Sequence, residues 1–328
     1  MIKEEIALVY RSNNNKRYSI ETLFTPLNNV VNVKKIILPE DLNSILNFFK
    51  LWIFLLKIKQ KVIHITGDVH YVAIFLFWKK NIITIHDLNY YEGLKGIKKI
   101  IYGLIWFRLP LKIANKIVAI SPYTKYQIQN YFNINEKKIV VIPNSFLKFK
   151  SSKVSNTTID KSIFQILCIG TTNNKNIDRL IDALVGIEKV RIRLIGKQSS
   201  EIVNKLKTKR INFSIVSNLS RDELRDEYNC SNILYFASTK EGFGLPILEA
   251  QSLGIPVITS KTTAMPYVSG DGAVLVDPYS VESIRESLLL FVNRGMDIED
   301  LKEKGYKNIE RFPMFNFIES YKNLYIAI

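Results

Sequence analysis

Two glutamates flank a glycine-rich turn in the second half of the sequence. Glu241 directly precedes Gly242-Phe243-Gly244-Leu245, and Glu249 follows Glu241 by eight positions. The glycines lack Cβ atoms, so the turn can adopt unusual dihedral angles and let a ligand approach its backbone. Pro246 suits a first helical turn, where free N–H groups and the positive dipole end favour a phosphate. Because carboxylates accept hydrogen bonds from sugar hydroxyls, we expect a ligand that carries both hydroxyls and phosphate.

Residues 241–250 as a whole resemble the donor-site motif of the retaining glycosyltransferases of family 4. The resemblance continues through residues 254–260, which match the family's return from helix to strand. It implies the GT-B fold, an α/β architecture of two Rossmann-like doubly wound domains facing each other across a cleft. It also implies that Glu249 binds the nucleotide ribose and that Glu241 positions the sugar. For an isolated Gly-x-Gly, a simple turn with Glu241 in solvent and Glu249 complementing the helix dipole would be the better interpretation.

The rest of the sequence supplies the elements that would hold this turn. Short β-branched runs alternate with helix-like segments, six runs in each half, which predicts two parallel sheets covered by helices. The predicted strands lie at residues 5–10, 34–38, 61–66, 81–85, 116–120 and 138–142, and at 164–169, 190–195, 212–216, 232–237, 255–259 and 273–276. Ligands of such sheets bind beyond the carboxyl ends of the strands.

The length of 328 residues suits two domains. We expect an acceptor-binding domain over residues 1–147, a polar linker over 148–161 and a nucleotide-sugar-binding domain over 162–310. Residues 311–328 are expected to form a helix that crosses back onto the first domain.

A second phosphate-binding element is expected after the first strand of the second domain. The chain there reads Gly170-Thr171-Thr172-Asn173-Asn174-Lys175. A dinucleotide-binding domain would need Gly-x-Gly-x-x-Gly in this place, so the sequence argues against an NAD enzyme. The family resemblance implies that Lys175 neutralises the donor diphosphate beside Gly170 and Thr171. Relatives often carry arginine where this chain has Thr171, and Lys175 considered alone would be interpreted as a solvated loop lysine.

His86 and Asp87 end a predicted strand of the first domain. A histidine at this edge can donate a hydrogen bond to a sugar hydroxyl, or it can serve as a cap. Residues 82–88 resemble the family's acceptor-domain strand, whose histidine faces the transferred sugar, so His86 joins Glu241 and Lys175 as a catalytic candidate. Asp87 is an acceptor-side candidate.

The loop after the first predicted strand is basic. It carries Arg11, Lys16 and Arg17 where many relatives have paired glycines. These side chains can bind an anionic acceptor or remain solvated. The two other histidines, His64 and His70, lack support from the resemblance and are interpreted as structural.

The chain has 46 lysines and arginines against 30 acidic residues, a formal net charge of +16. A basic excess suggests an anionic partner, such as nucleic acid, acidic lipid or phosphorylated substrate. No nucleic-acid-binding motif accompanies it, so we expect no nucleic acid partner. Aromatic, lysine-bordered helices are predicted within residues 41–60 and 100–111, and no uncharged apolar run reaches the ~18 residues that span a bilayer. They either pack on the sheet alone or also contact an anionic membrane surface.

Cys168 and Cys230 lie in apolar contexts and are interpreted as buried free thiols of a reducing cytoplasm. Met1–Glu5 leads directly into a predicted strand and does not resemble a signal peptide, so we expect a cytoplasmic protein. If it contacts lipid, we expect that contact at the inner face of the cytoplasmic membrane. The sequence has no Asp-x-Asp motif and no metal-ligand spacing at its cysteines. We therefore expect no metal and no cofactor besides the nucleotide diphosphate sugar.

Together with these residues, the resemblance to family 4 implies a retaining, metal-independent glycosyltransferase. It would move a hexose-type sugar to a glycan or lipid-linked acceptor in bacterial surface polysaccharide synthesis, whether O-antigen, capsule or exopolysaccharide. One alternative is a catalytically silent GT-B module that binds nucleotide sugars. Another is a glycoside hydrolase, whose retaining forms pair carboxylates ~5 Å apart but have no use for a glycine-rich phosphate loop.

Overall fold

The computed structural model describes residues 5–12, 23–27, 31, 33–39, 45–149 and 162–328, without the side chains of residues 45, 46 and 48. The chain divides into two compact units, Met1–Ser145 with Met314–Ile328, and Phe146–Pro313. Residues 150–161, most of the predicted linker, lie outside the described part of the chain.

The first unit is built on a sheet of six parallel strands. They are β1 Ile6–Tyr10, β2 Val33–Ile37, β3 Val62–Ile65, β4 Lys80–Ile85, β5 Lys116–Ala119 and β6 Ile139–Val141. Their order in the sheet is β2-β1-β3-β4-β5-β6, so the direction of winding reverses between β1 and β3. Ligands of open α/β sheets bind at the carboxyl edge beside such a reversal, which places a candidate site after β1 and β3.

Helices cover both faces of this sheet. They are 23–27, Ile45–Leu56, Val72–Phe75, Asn89–Gly93, Gly96–Tyr102, Leu109–Ile113, Pro122–Phe132 and Met314–Ile326, with a π-helical turn at Gly103–Arg108 and a 3-10 turn at Glu136–Lys138.

Alternate residues along a strand point to opposite faces of the sheet, and so the first unit has two cores. Ile83 shares one core with Leu51 and Phe107. Ile82, its neighbour in β4, shares the other core with Tyr321 of the last helix. We call the first of these the long-helix face. It is covered by helices Ile45–Leu56, Val72–Phe75 and Pro122–Phe132, and by the consecutive helical segments of residues 96–113.

The second unit repeats the architecture. Its strands are β7 Phe164–Ile169, β8 Val190–Ile195, β9 Asn212–Val216, β10 Ile233–Phe236, β11 Val257–Ser260 and β12 Val274–Val276. Its helices are Ile177–Leu184, Ser200–Thr208, Arg221–Asn229, Leu245–Ser252, Met265–Ser269, Val281–Val292 and Ile298–Ile309, with a 3-10 turn at Asn173–Lys175. The sheet order is β12-β11-β10-β7-β8-β9, all parallel, and the winding reverses between β7 and β10.

The fold prediction is confirmed, since all twelve predicted strands are present with bounds that shift by two residues or fewer. The cysteines differ from expectation in one respect. Cys168 is buried in β7, and burial raises the pKa of its thiol, whereas Cys230 is only half-buried because it caps the end of helix Arg221–Asn229. Among the described residues, every helix is too short or too polar to cross a bilayer.

Candidate functional site

The loops after β7 and β10 are joined at the switch point of the second sheet. The backbone N–H of Thr239 donates to the carbonyl oxygen of Asn174 at 2.8 Å, and the Asn174 side chain donates to the carbonyl oxygen of Lys240 at 2.7 Å. Asn176 adopts a left-handed conformation, and its Nδ2 donates to the carbonyl oxygen of Ala237 at 3.1 Å. These bonds fix the relative positions of the two loops at the carboxyl edge of the sheet.

Lys175 and Glu241 form an ion pair between these loops. Their side chains are only 18% and 14% exposed. Asn174 Nδ2 donates to the same carboxylate oxygen at 3.1 Å, and the Lys175 ammonium lies 4.5 Å from the centre of the Phe236 ring. The structure thus brings together a cation and a carboxylate that the sequence separates by 66 positions.

Gly170 makes room for the Lys175 side chain. Gly170 has a φ of +121°, and a Cβ atom there would lie 2.6 Å from Lys175 Cε. Thr171, the next residue, is exposed, and its methyl group packs against the backbone of Gly196, where a Cβ would lie 2.5 Å away. Two glycines with positive φ therefore allow Thr171 and Lys175 to lie close to the backbone of the loop.

The glycine-rich turn leads from Glu241 into helix Leu245–Ser252. Gly244 caps this helix with a φ of +108°, which favours glycine, and Pro246 occupies its second position as expected for a helix start. Phe243 is buried edge-on against Phe312. The buried Phe243 anchors the turn, and the positive end of the helix dipole lies beside Glu241 and Lys175.

Glu249 lies one turn into the same helix and is largely buried. The Tyr228 hydroxyl donates to its Oε2 at 3.0 Å, and Arg221 Nη1 lies 3.4 Å from Oε1. Burial raises the pKa of Glu249, while Arg221 and the hydrogen bond from Tyr228 act in the opposite direction. The carboxylate is therefore held in one orientation by two partners.

The acceptor-side candidates of the first unit lie at the carboxyl edge of its sheet. His86 follows β4, and its Nε2 donates to the carbonyl oxygen of Thr66, after β3, at 2.7 Å. Asp87 accepts the backbone N–H of Asn89 at 2.9 Å. Arg11 directly follows β1 and is half-buried. Lys16 and Arg17 lie outside the described residues.

His64 and His70 are buried. His64 is hydrogen-bonded to the hydroxyls of Tyr325 at 2.7 Å and Thr84 at 2.8 Å, and burial lowers its pKa to about 3. His70 Nδ1 donates to the carbonyl oxygen of Trp106 at 3.1 Å, and burial lowers its pKa to about 4. His64 thereby joins the last helix to the sheet, the structural role expected of it.

Sequence reasoning missed three residues of this site, namely Asn174, Arg221 and Tyr228. Both Arg221 and Tyr228 lie on helix Arg221–Asn229, where the Ser220 side chain and Glu223 form a capping box. Their seven-residue spacing puts both on one helical face, which was the available signal. Nothing in the sequence showed that this face lies against Glu249.

The class of protein follows from the fold: two parallel six-stranded sheets, each with a switch-point site, form a GT-B architecture. Anabaena HepE, solved in complex with UDP-glucose, has the same fold, with a TM-score of 0.78 and 13% identity over 98% of this chain and 99% of HepE.

The family follows from two sequence models. The model of glycosyltransferase family 4 matches residues 6–146, and that of the glycosyl transferases group 1 matches residues 150–308. The two models together cover nearly the whole chain. The chain therefore belongs to the group 1 glycosyltransferases of family 4.

Named relatives share parts of the sequence. The capsular polysaccharide biosynthesis glycosyltransferase CapM of Staphylococcus aureus is 25% identical over 267 residues, 74% of this chain and 69% of CapM. The O-antigen chain mannosyltransferase B of Escherichia coli is 34% identical over 98 residues, 30% of this chain and 26% of the relative. The chain thus spans about a quarter of the length of mannosyltransferase B and about two thirds of the length of CapM.

Proposed function

We propose that this protein is a retaining glycosyltransferase that transfers a sugar from a nucleotide diphosphate sugar to a glycan or lipid-linked acceptor. The ion pair of Lys175 with Glu241 beside the glycine-rich turn carries the proposal. It puts a cation, a sugar-binding carboxylate and the positive end of a helix at one sheet edge. A donor that carries both hydroxyls and a diphosphate needs all three.

The residues of the second unit divide the work between the two ends of the donor. Lys175 and the amides of the turn Gly242–Leu245 stabilise the negative charge that grows on the departing diphosphate. Gly170 and Thr171 border the phosphates. Glu249 accepts hydrogen bonds from the ribose hydroxyls, and Glu241 accepts them from the sugar.

The proposed reaction exchanges one bond for another at the anomeric carbon. The bond from this carbon to the diphosphate oxygen breaks, and a bond to the acceptor oxygen forms on the same face. The acceptor's proton passes to the leaving phosphate, so no protein nucleophile is required. We assign His86, Asp87 and Arg11, together with Lys16 and Arg17, to the sugar and acceptor side. Lys175 and the turn amides supply positive charge, and we propose that no metal is needed.

The biological setting is proposed from the relatives. CapM is named for capsular polysaccharide biosynthesis and mannosyltransferase B for the O-antigen chain. We place this protein in bacterial surface polysaccharide assembly. Since HepE was solved with UDP-glucose, UDP-sugars are the first donors to test.

Turnover of donor alone tests the proposal. Wild type is incubated with a panel of UDP-, GDP- and TDP-sugars, and release of the nucleoside diphosphate is measured. Wild type should hydrolyse one donor slowly. The substitutions Glu241→Gln and Lys175→Gln should each abolish release of the nucleoside diphosphate from that donor. A silent binding module would instead bind a donor in a calorimetric titration, yet release no nucleoside diphosphate whether or not acceptor is present. Hydrolysis of a glycoside without nucleotide would instead identify a hydrolase.

We also propose that the first unit contacts an anionic membrane. Its long-helix face exposes two apolar stripes at helical spacing. Helix Ile45–Leu56 carries Phe49, Trp52, Ile53 and Leu56, and helix Gly96–Tyr102 with the π-helical turn after it carries Ile97, Ile100, Ile101 and Leu104. Their exposed fractions range from 42% to 67%. Residues 42–118 contain twelve lysines and arginines against three acidic residues. Apolar side chains beside excess positive charge suit an anionic lipid surface at the inner face of the cytoplasmic membrane.

Vesicle sedimentation tests this contact. Wild type should bind vesicles that contain phosphatidylglycerol and remain unbound with neutral phosphatidylcholine vesicles. Binding should weaken as salt screens the surface charge. Equal partition into both kinds of vesicle, or into neither, would contradict the membrane part of the proposal and leave the transferase part intact.

A further inference from the structure

A cavity of about 480 Å³ opens on the long-helix face, beside the π-helical turn Gly103–Arg108. Tyr91, Ile100, Gly103 and Leu104 supply its apolar walls, and Lys99 and Arg108 also line it. The volume lies within the ~300–1,000 Å³ of small-molecule sites. It belongs to the first unit and is separate from the donor site of the second.

Local geometry explains why the cavity is present. A π-helical turn inserts extra backbone into a helix, and such turns often occur at functional sites. At Gly103, a Cβ atom would lie 2.8 Å from the Tyr91 ring, so only glycine lets that ring lie against the helix. The Lys99 ammonium lies 4.9 Å from the centre of the same ring and 5.7 Å from that of Tyr131. The aromatic rings thereby hold the lysine at the cavity.

The charges and apolar surface around the cavity define what it can bind. Residues 93–118 include six lysines and arginines and no acidic residue. Arg108 offers a planar fork of donors that fits phosphate oxygens, and Lys99 adds a point charge. Ile97 and Ile101, 66% and 51% exposed, lie beside the lining residues on the same helix. A matching ligand is anionic at one end and apolar immediately next to it.

We propose that this cavity binds the phosphate headgroup of an anionic membrane phospholipid. Lys99 and Arg108 contact the phosphate, and the first methylene groups of the lipid pack on Ile100 and Leu104. The proposal rests on the membrane contact proposed above and makes it specific, since one site, rather than diffuse charge, would orient the protein on the bilayer.

Two pairs of substitutions with the same change in charge test the site. Lys99→Gln with Arg108→Gln removes the cavity's cations. Lys98→Gln with Lys112→Gln removes two exposed cations of the same segment that do not line the cavity. Partition into phosphatidylglycerol vesicles is measured for both. A basic residue near an anionic surface contributes about a fivefold change in partition, so diffuse attraction would weaken both pairs equally. If the cavity is a headgroup site, the partition of the cavity pair should fall at least a further tenfold below that of the control pair.

A conservative exchange guards against misfolding. Lys99→Arg with Arg108→Lys keeps both charges and should retain binding within a fewfold of wild type. Soluble dihexanoyl phosphatidylglycerol, titrated as monomers, should bind wild type but not the cavity pair. Equal losses for the two neutralised pairs, or no binding of the soluble lipid, would overturn the headgroup site. Failure of wild type to bind any vesicle would instead overturn the membrane contact itself.

Discussion

The guanidinium of Arg221 lies 3.4 Å from the carboxylate of Glu249, and the same guanidinium lies 4.4 Å from the centre of the Phe149 ring. Arg221 also donates to the carbonyl oxygen of Leu147. It therefore joins residues 147–149, near the start of the second unit, to the carboxylate that we assign to the donor ribose. This makes Arg221 a positioning residue for Glu249.

Replacing Arg221 by leucine should raise the KM for the donor and leave kcat nearly unchanged. A hydrogen bond to a charged group contributes about 1.5–3 kcal/mol, which corresponds to a rise in KM of roughly ten- to hundredfold. Arg221→Lys, which keeps the charge, should recover much of this loss. A large fall in kcat with unchanged KM would contradict the positioning role.

The same variant should change the pH dependence of donor binding. Burial already raises the pKa of Glu249, and Arg221 opposes that rise. Ribose binding needs the ionised carboxylate, so affinity is lost as the pH falls through the pKa of Glu249. In Arg221→Leu that loss should begin at a higher pH than in wild type, and a series of donor titrations from pH 5 to pH 8 would measure it.

Gly170→Ala should inactivate the enzyme through Lys175. The new Cβ would meet the Lys175 side chain, so the ammonium must move away from the position that we propose for the diphosphate. Loss of one such charge-stabilising group typically lowers kcat by about 10²–10³-fold. Gly186→Ala is the matched control, because Gly186 also has a positive φ of +78° but its Cβ would approach no atom closer than 4.0 Å. Both variants should lose stability of the order of 1–3 kcal/mol from backbone strain, and only the first should lose turnover.

Transfer should persist in excess EDTA. In the proposed mechanism, the positive charge of Lys175 and the helix dipole take the place of a divalent cation at the departing diphosphate. Donor turnover measured in EDTA and after added Mg²⁺ should agree closely. Strict dependence on Mg²⁺ would show that the protein groups are insufficient.

His64 should make the protein acid-sensitive. Its pKa is lowered to about 3 in the folded chain, whereas an unfolded histidine titrates near 6.5. The unfolded state thus binds more protons between these values, so stability is lost as the pH falls below about 6.5, at up to ~1.4 kcal/mol per pH unit. His64→Gln should be less stable at pH 7.5, with a shallower slope between pH 6.5 and pH 4.5 in urea unfolding. An unchanged slope would mean that His64 is already protonated when folded.

The fold was predictable from short-range pattern, and the site only in part. Twelve β-branched runs and the motif at Glu241 could be identified without tertiary information. The contact of Lys175 with Glu241 depends on β10 pairing with β7, an order that one sequence does not display.

The partners of Glu249 and the cavity at Gly103 could not be predicted for a related reason. Arg221 lies 28 positions from Glu249, and the two meet only because their helices pack together. The π-helical turn at Gly103–Arg108 arises within an apolar run whose sequence is compatible with an ordinary helix.

The chain passes between the two units twice, once near Ser145 and again near Met314. A fragment that stopped at Ser145 would lack Phe317 and Tyr321, and would leave Phe24 and Val118 uncovered on one side of its sheet. The first 145 residues are therefore not a self-sufficient folding unit. Halves made separately and divided within residues 150–161 should recombine, because the second would bring the missing helix to the first.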